Sequence, residues 1–203
     1  MTLTLQNDNL LELTQSIYQK LNDRKNTNGA LSSICHLVTN KVDTAKLNTN
    51  IFWSTSNLLS NKRGATQAKE MPKSTKCTAV SRYDTLFGNI RPYFKKVLFA
   101  PQNGGCSPDV LVFKANTQKY QAYLYSIVAS DKFIDQVVAG SRGTKMPRGD
   151  KAQMIETPIY IPSDQELKSF NKAVLPSLIS IQTNSTENEY LTVIKQQLLS
   201  KYF

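Results

Sequence analysis

The sequence predicts an α+β fold, with one β-rich globular domain held between N- and C-terminal amphipathic, coiled-coil-like helices. Leu3, Leu10, Leu13, Ile17 and Leu21 recur at helical spacing near one end. Phe170, Val174, Leu178, Ile181, Leu191, Ile194 and Leu198 do the same near the other. Between these stripes, short apolar runs rich in β-branched and aromatic residues alternate with glycine, proline and polar turns. The expected organisation is a helix over residues 1–25, the β-rich domain over 26–163 and a second helix over 164–203.

The first stripe makes a helix of about five turns, with Asn7, Asp8, Glu12, Gln15 and Gln19 on its other faces. Such a helix is marginal alone and needs a partner. A polar break from Asn22 to Gly29 ends it. Leu31, Ile34, Leu37 and Val38 form an apolar patch that includes His36, which reads as structural. Ile51-Phe52-Trp53 is a short strand, with Trp53 as a core anchor, and Ser54 to Asn57 is a polar turn. Residues 61–82 are cationic and poor in apolar side chains, as in a surface loop or hairpin.

Tyr83 to Phe113 reads as strand, basic turn, strand, glycine turn, strand. Leu86 and Phe87 precede Gly88 and Asn89; Arg91, Lys95 and Lys96 then surround Tyr93 and Phe94. Pro92 biases Arg91 toward an extended backbone. Asn103-Gly104-Gly105 is a turn signal and Val110 to Phe113 a strand. Gln118 to Ala139 has helical spacing, with Ser130-Asp131 capping a second helix. Gly140 to Asp150 breaks all periodicity, and Ile155 to Pro162 reads as a short edge-type strand. Ser163-Asp164-Gln165-Glu166 opens the last helix, which Pro176 should kink or interrupt.

The chain has 203 residues, 40% hydrophobic and 20% charged, enough to bury a core. No apolar run has the length to span a bilayer. No cationic segment followed by an apolar one opens the chain, so no signal peptide is expected, and Met1 favours a natural start. The scattered cysteines, Cys35, Cys77 and Cys106, read as free thiols in a reducing cytosol. Charge is more informative. Of the net +10, the excess lies in two segments. Residues 60–100 carry Lys62, Arg63, Lys69, Lys73, Lys76, Arg82, Arg91, Lys95 and Lys96 against Glu70 and Asp84. Residues 141–151 carry Arg142, Lys145, Arg148 and Lys151 against Asp150, and the remainder is balanced. Concentrated charge of this kind marks a binding face for a phosphate backbone.

A catalytic constellation is missing. The sequence has no G-x-S-x-G, Walker, dinucleotide or H-E-x-x-H motif, and its single histidine, His36, excludes a multi-histidine metal site. Pro108-Asp109 with the distant Glu166-Leu167-Lys168 is a chance likeness to a nuclease motif. The Asn/Asp-Pro-Pro-aromatic tetrapeptide of amino-methyltransferases is absent too.

Four stretches resemble the DNA-specificity (S) subunits of type I restriction–modification systems. They are Trp53 to Gly64 (WSTSNLLSNKRG), Asp84 to Lys96 (DTLFGNIRPYFKK), Gly104 to Phe113 (GGCSPDVLVF) and Gly143 to Asp150 (GTKMPRGD). They occur in the family's order and at similar spacing, and with the helices the resemblance covers nearly the whole chain. It implies a non-catalytic subunit whose recognition domains each read half of a split DNA target. The helices between them would act as a ruler and as docking sites for modification (methyltransferase) subunits, and through these for restriction subunits. S-adenosylmethionine and ATP with magnesium would belong to those partners, not to this chain. This chain has room for one recognition domain, so it resembles a half-size S subunit. A twofold homodimer would restore the usual arrangement, in the cytoplasm, on double-stranded DNA.

The residues expected at DNA are Lys62, Arg63, Lys73, Lys76, Arg82, Asn89, Arg91, Tyr93, Lys95, Lys96, Arg142, Thr144, Lys145 and Arg148. Arg63, Arg82 and Arg148 are the expected base readers, since arginine grips guanine bidentately. Those expected at dimer or partner helices are Leu3, Leu10, Leu13, Ile17, Leu21, Leu178, Ile181, Leu191, Ile194 and Leu198. The competing reading is a helical adaptor whose basic face meets an acidic protein and has no DNA specificity. A stand-alone nuclease has little support.

Overall fold

Period-two alternation in three neighbouring strands sets the architecture. The computed structural model describes residues 3–202. In chain order the elements are α1 (Leu3–Asn22), β1 (Gly29–Ala30), β2 (Cys35–Leu37), β3 (Lys41–Asp43), β4 (Phe52–Trp53), β5 (Lys76–Val80), β6 (Thr85–Gly88), β7 (Val97–Phe99), β8 (Gly104–Cys106) and β9 (Val110–Ala115). There follow α2 (Gln121–Val128), α3 (Asp131–Ala139), α4 (Lys151–Ile155), β10 (Pro158–Ile159) and α5 (Asp164–Tyr202). One four-stranded sheet runs β2-β9-β6-β7, a second runs β3-β5-β8-β4, and β1 pairs with β10.

In the first sheet, Phe87 lies opposite Leu111 and Val97, and Thr85 opposite Phe113 and Phe99. This face packs on Tyr123, Leu124 and Ile127 of α2 and on Phe133 and Ile134 of α3. Phe133 meets Phe87 and Phe113 edge-on, with ring centroids 6.1 and 6.2 Å apart. The alternate residues Leu86, Val110 and Val112 point the other way, onto Trp53, Val80 and Cys106 of the second sheet. The first sheet is thus covered on both faces, by helices and by a sheet. That is why its strands read as continuous apolar runs. Removing one such ring, as in Phe113→Ala, costs about 3–5 kcal/mol.

Gly104 and Gly105 are not a turn. They lie in β8, between β5 and β4. A Cβ on Gly104 would strike the Ile51 carbonyl and the Trp53 ring, and one on Gly105 the Cys77 thiol and Leu47. The glycines let three strands approach closely. All three cysteines are buried free thiols, and burial pushes those of Cys35 and Cys106 up to about 12. His36 is exposed on β2, its Nδ1 2.9 Å from the Asn116 side-chain oxygen, and is not part of an apolar patch.

Residues 151–155, at the edge of the expected strand, are helical instead. Asp150 caps α4 by accepting from the amides of Ala152 and Gln153 (2.9 and 3.3 Å), leaving only Pro158–Ile159 to pair with β1.

Helices α1 and α5 pack antiparallel. Asn7 meets Ile181 and Ser185, whereas Ile17 and Leu21 line a cleft with Phe170. The buried line on α1 is Asn7, Leu11 and Thr14, one residue out of step with Leu10 and Leu13 of the expected stripe; Leu13 is 48% exposed, whereas Ile17 and Leu21 pack on the core as expected. Asn7 explains the shift. Its Nδ2 donates to the Ile181 carbonyl and Ser185 Oγ, and its Oδ1 accepts from Asn184 Nδ2 at 2.8 Å. A paired polar residue fixes helix register at some cost in apolar burial. At the start of α5, Ser163 and Glu166 form a reciprocal capping box. The helix runs through Pro176 without interruption, because Val174 and Leu178 on either side are buried in the core. Its 39 residues extend for about 58 Å. Among the described residues no helix is long and apolar enough to cross a membrane.

Candidate nucleic-acid interface

Three loops at one end of the first sheet brace one another. The first, residues 89–96, leaves β6 where Gly88 donates to the Lys96 carbonyl. Arg91 is in the left-handed region (φ 51, ψ 62), not the extended conformation expected before proline. Its amide donates to the Pro147 carbonyl at 2.8 Å, and its carbonyl accepts from Phe94 at 3.0 Å. Those two bonds over-determine a conformation that a non-glycine residue seldom adopts. The second loop, 59–64, lies alongside. The Asn61 and Lys62 amides donate to the Phe94 and Lys95 carbonyls, both at 2.9 Å. Asn61, Lys62, Arg91 and Lys95 all have positive φ. The third loop, 142–148, closes on itself through reciprocal 2.9 Å bonds between Arg142 and Arg148, and is tied to the first by the Ile90–Arg148 bridge.

The cations on these loops divide by what they face. Lys62 and Lys95 both turn onto Asp131 Oδ1, at 3.1 and 2.8 Å. Hydrogen bonding to Lys95, the largest effect, together with Lys62 holds the Asp131 carboxyl below its ordinary value, and burial opposes them. Arg63 grips Asp8 of α1 with two bonds, at 3.1 and 2.9 Å. Lys96 donates to the Thr55 carbonyl, and desolvation lowers its pKa. Arg148 is 3.2 Å from Asp109, and Arg142 3.8 Å from Asp150. Arg91 Nη2 reaches the Lys145 carbonyl, at 3.5 Å. Thr144 and Lys145 are exposed at the tip of the third loop. Asn89 is not at the surface: it is 5% exposed and bonded to Gly149.

The remaining expected cations lie elsewhere. Lys73 and Lys76 are exposed at the start of β5, where Lys76 pairs in register with Asp43 of β3. That pairing brings in Lys41, whose Nζ donates to Thr78 Oγ1 at 3.1 Å, and the exposed Lys46, both unforeseen from sequence. No local signal joined 41–46 to 73–76. Arg82 is exposed, its guanidinium 4.6 Å from the Tyr83 ring centroid. Tyr93 is exposed beside Phe94.

The helix residues divide similarly. Leu178 is buried, and Ile17, Leu21 and Ile181 pack against the same core. Leu3 and Leu10 are half-buried, whereas Leu13, Leu191, Ile194 and Leu198 are exposed. No metal-binding group of His, Cys, Asp and Glu occurs among the described residues.

No protein-family model matches this sequence, and no curated protein is significantly similar to it. Its structure is similar to that of a type I restriction–modification S subunit from M. genitalium. The TM-score is 0.65 at 11% identity, over 99% of this chain and 56% of that one. The fold is that of a type I S subunit. A structure describing complex assembly and conformational transition of the type I system gives a TM-score of 0.49 at 8% identity, over 97% of this chain and 53% of that one. An HsdS subunit from Thermoanaerobacter tengcongensis gives 0.41 at 9%, over 96% and 50%. The chain spans about half the length of each of these structures.

Proposed function

We propose that the chain is a non-catalytic DNA-specificity subunit with a single recognition domain, reading one half of a bipartite target. One observation carries this reading. A whole-chain match to half of an S subunit includes the β-rich body and both flanking helices. The division into 1–25, 26–163 and 164–203 is then functional, since α1 and the first half of α5 share the core of the body.

The proposed DNA contacts are Lys73, Lys76, Arg82, Arg91 and Lys145, with Thr144 and Tyr93, together with Arg142 and Arg148, which would exchange Asp150 and Asp109 for phosphate or a base. Lys62, Arg63, Lys95 and Lys96 turn onto partners within the chain and set the loops, as Asn89 does from inside. Beyond the end of α1, α5 exposes Leu191, Ile194 and Leu198. These would pair with a second copy around a twofold axis and give modification subunits a seat along the helices, with restriction subunits attached through them. S-adenosylmethionine, ATP and magnesium would reside in those subunits, in the cytoplasm.

Selection from a random-sequence duplex pool by the purified chain tests the reading. An interrupted palindrome should emerge from a homodimer. A pool that stays random after repeated rounds would reject it.

A further inference from the structure

Among the described residues, the exposed large apolar side chains outside α1 and α5 are Leu59, Tyr93, Phe94 and Met146. All four lie on the three braced loops. Tyr93 and Phe94 stand two and three residues past Arg91, their ring centroids 4.9 Å apart and inclined at 53°. Met146 lies between Lys145 and Pro147, whose carbonyls Arg91 holds through its side chain and its amide. Both apolar tips therefore flank one fixed point. They are 49%, 41% and 48% exposed for Tyr93, Phe94 and Met146.

Leaving such groups in water is unfavourable, and rigid loops present them at a defined place. Their surroundings limit what can cover them. Arg91, Arg142, Lys145 and Arg148 lie on the same loops, and the carboxylates nearby, Asp109, Asp150 and Asp131, already face Arg148, Arg142, and Lys62 with Lys95. Charge complementarity favours an anionic partner. A nucleic-acid duplex offers phosphates at its edge and an apolar stack of bases within, which is the arrangement that apolar wedges flanked by cations exploit.

We infer that Met146 and the Tyr93–Phe94 pair form a wedge that enters the base stack of bound DNA. The inference rests on the DNA-binding reading above and deepens it. Target choice then depends on how easily one step unstacks, as well as on hydrogen bonds to base edges. Pyrimidine–purine steps, the most easily unstacked, are the expected site.

The test uses the full chain and a duplex that it selects from the random pool, with 2-aminopurine placed at each position in turn. The expected result is a fluorescence rise at one step on binding. Met146→Ala should abolish most of the rise and weaken binding by about tenfold, the scale of one lost base-stacking contact. The slope of log affinity against log salt should not change, and Met146→Leu should restore the rise. Because Met146 is exposed, its truncation leaves the core intact. Binding without a rise at any position overturns the wedge and leaves DNA recognition standing. So does unchanged distortion by both Met146→Ala and the Tyr93→Ala/Phe94→Ala double variant, which would assign the patch to a protein partner. A pool that yields no bound duplex overturns DNA recognition and the wedge together.

Discussion

The side-chain amide of Asn89 holds Gly149 by both of its backbone groups. Nδ2 donates to the Gly149 carbonyl at 3.2 Å, and Oδ1 accepts from the Gly149 amide at 3.1 Å. This pair, buried beneath the surface, joins the loop after β6 to the loop before α4. A Cβ on Gly149 would strike Met154 and Val137, so the close approach requires glycine. Asn89→Ala strands two buried backbone groups and should cost about 1–3 kcal/mol. The denaturant midpoint would fall at an unchanged m-value, and amides of residues 142–148 would exchange faster. An unchanged midpoint would mean the clamp is dispensable.

Cations placed at the DNA should contribute to the salt dependence of binding, and those that hold the loops together should not. Arg91→Ala and Lys145→Ala should each lower the slope of log affinity against log salt by about one. Lys62→Ala removes an ion pair to Asp131 and should leave the slope alone. Equal changes for Lys62 and Lys145 would contradict the division.

Glu166 gives the start of α5 a pH dependence. Hydrogen bonds from the Ser163 amide and hydroxyl, then from Lys25 and Tyr160, hold its carboxyl down to about 2 from an ordinary 4.5. The lowered value favours the charged form in the folded state. Its contribution is therefore complete above about pH 4.5 and is lost as pH falls through about 2. Glu166→Gln keeps a capping side chain but removes the titration. Urea midpoints across that window should fall less steeply for the variant, and parallel curves would exclude Glu166 as a source of the slope.

The far half of α5 predicts a dimer. Leu191, Ile194 and Leu198 are 52%, 50% and 52% exposed, at steps of three and four. Sedimentation should give twice the chain mass. Leu191→Glu with Ile194→Glu should yield a folded monomer, since neither side chain packs in the chain's own core. A wild-type monomer would leave the recognition domain intact but remove the palindromic target.

Elements with a local cause were legible in the sequence. The Ser130 cap, the acidic start of α5 and the apolar strands around Phe87 and Phe113 appear where residue types and spacing place them. What escaped depends on distant partners. Gly104-Gly105 has turn chemistry, yet serves a strand because Ile51, Trp53 and Cys77 crowd it. Arg91 precedes proline, yet is left-handed because Pro147, far along the chain, claims its amide. The Leu10 and Leu13 part of the stripe on α1 is displaced by the Asn7–Asn184 pair. The same limit applied to the candidate site. Charge located the basic segments, but whether Lys62 or Lys145 faces solvent is decided by Asp131, and no spacing announces that.

The most direct test of DNA specificity is the ratio of affinities for the selected duplex and for a permuted duplex of equal length, at one fixed salt concentration. A sequence-reading subunit should give a ratio of about a thousand or more. A ratio near one, with strong salt dependence for both duplexes, would mean that the basic loops bind phosphate without reading sequence, and would contradict the proposed function.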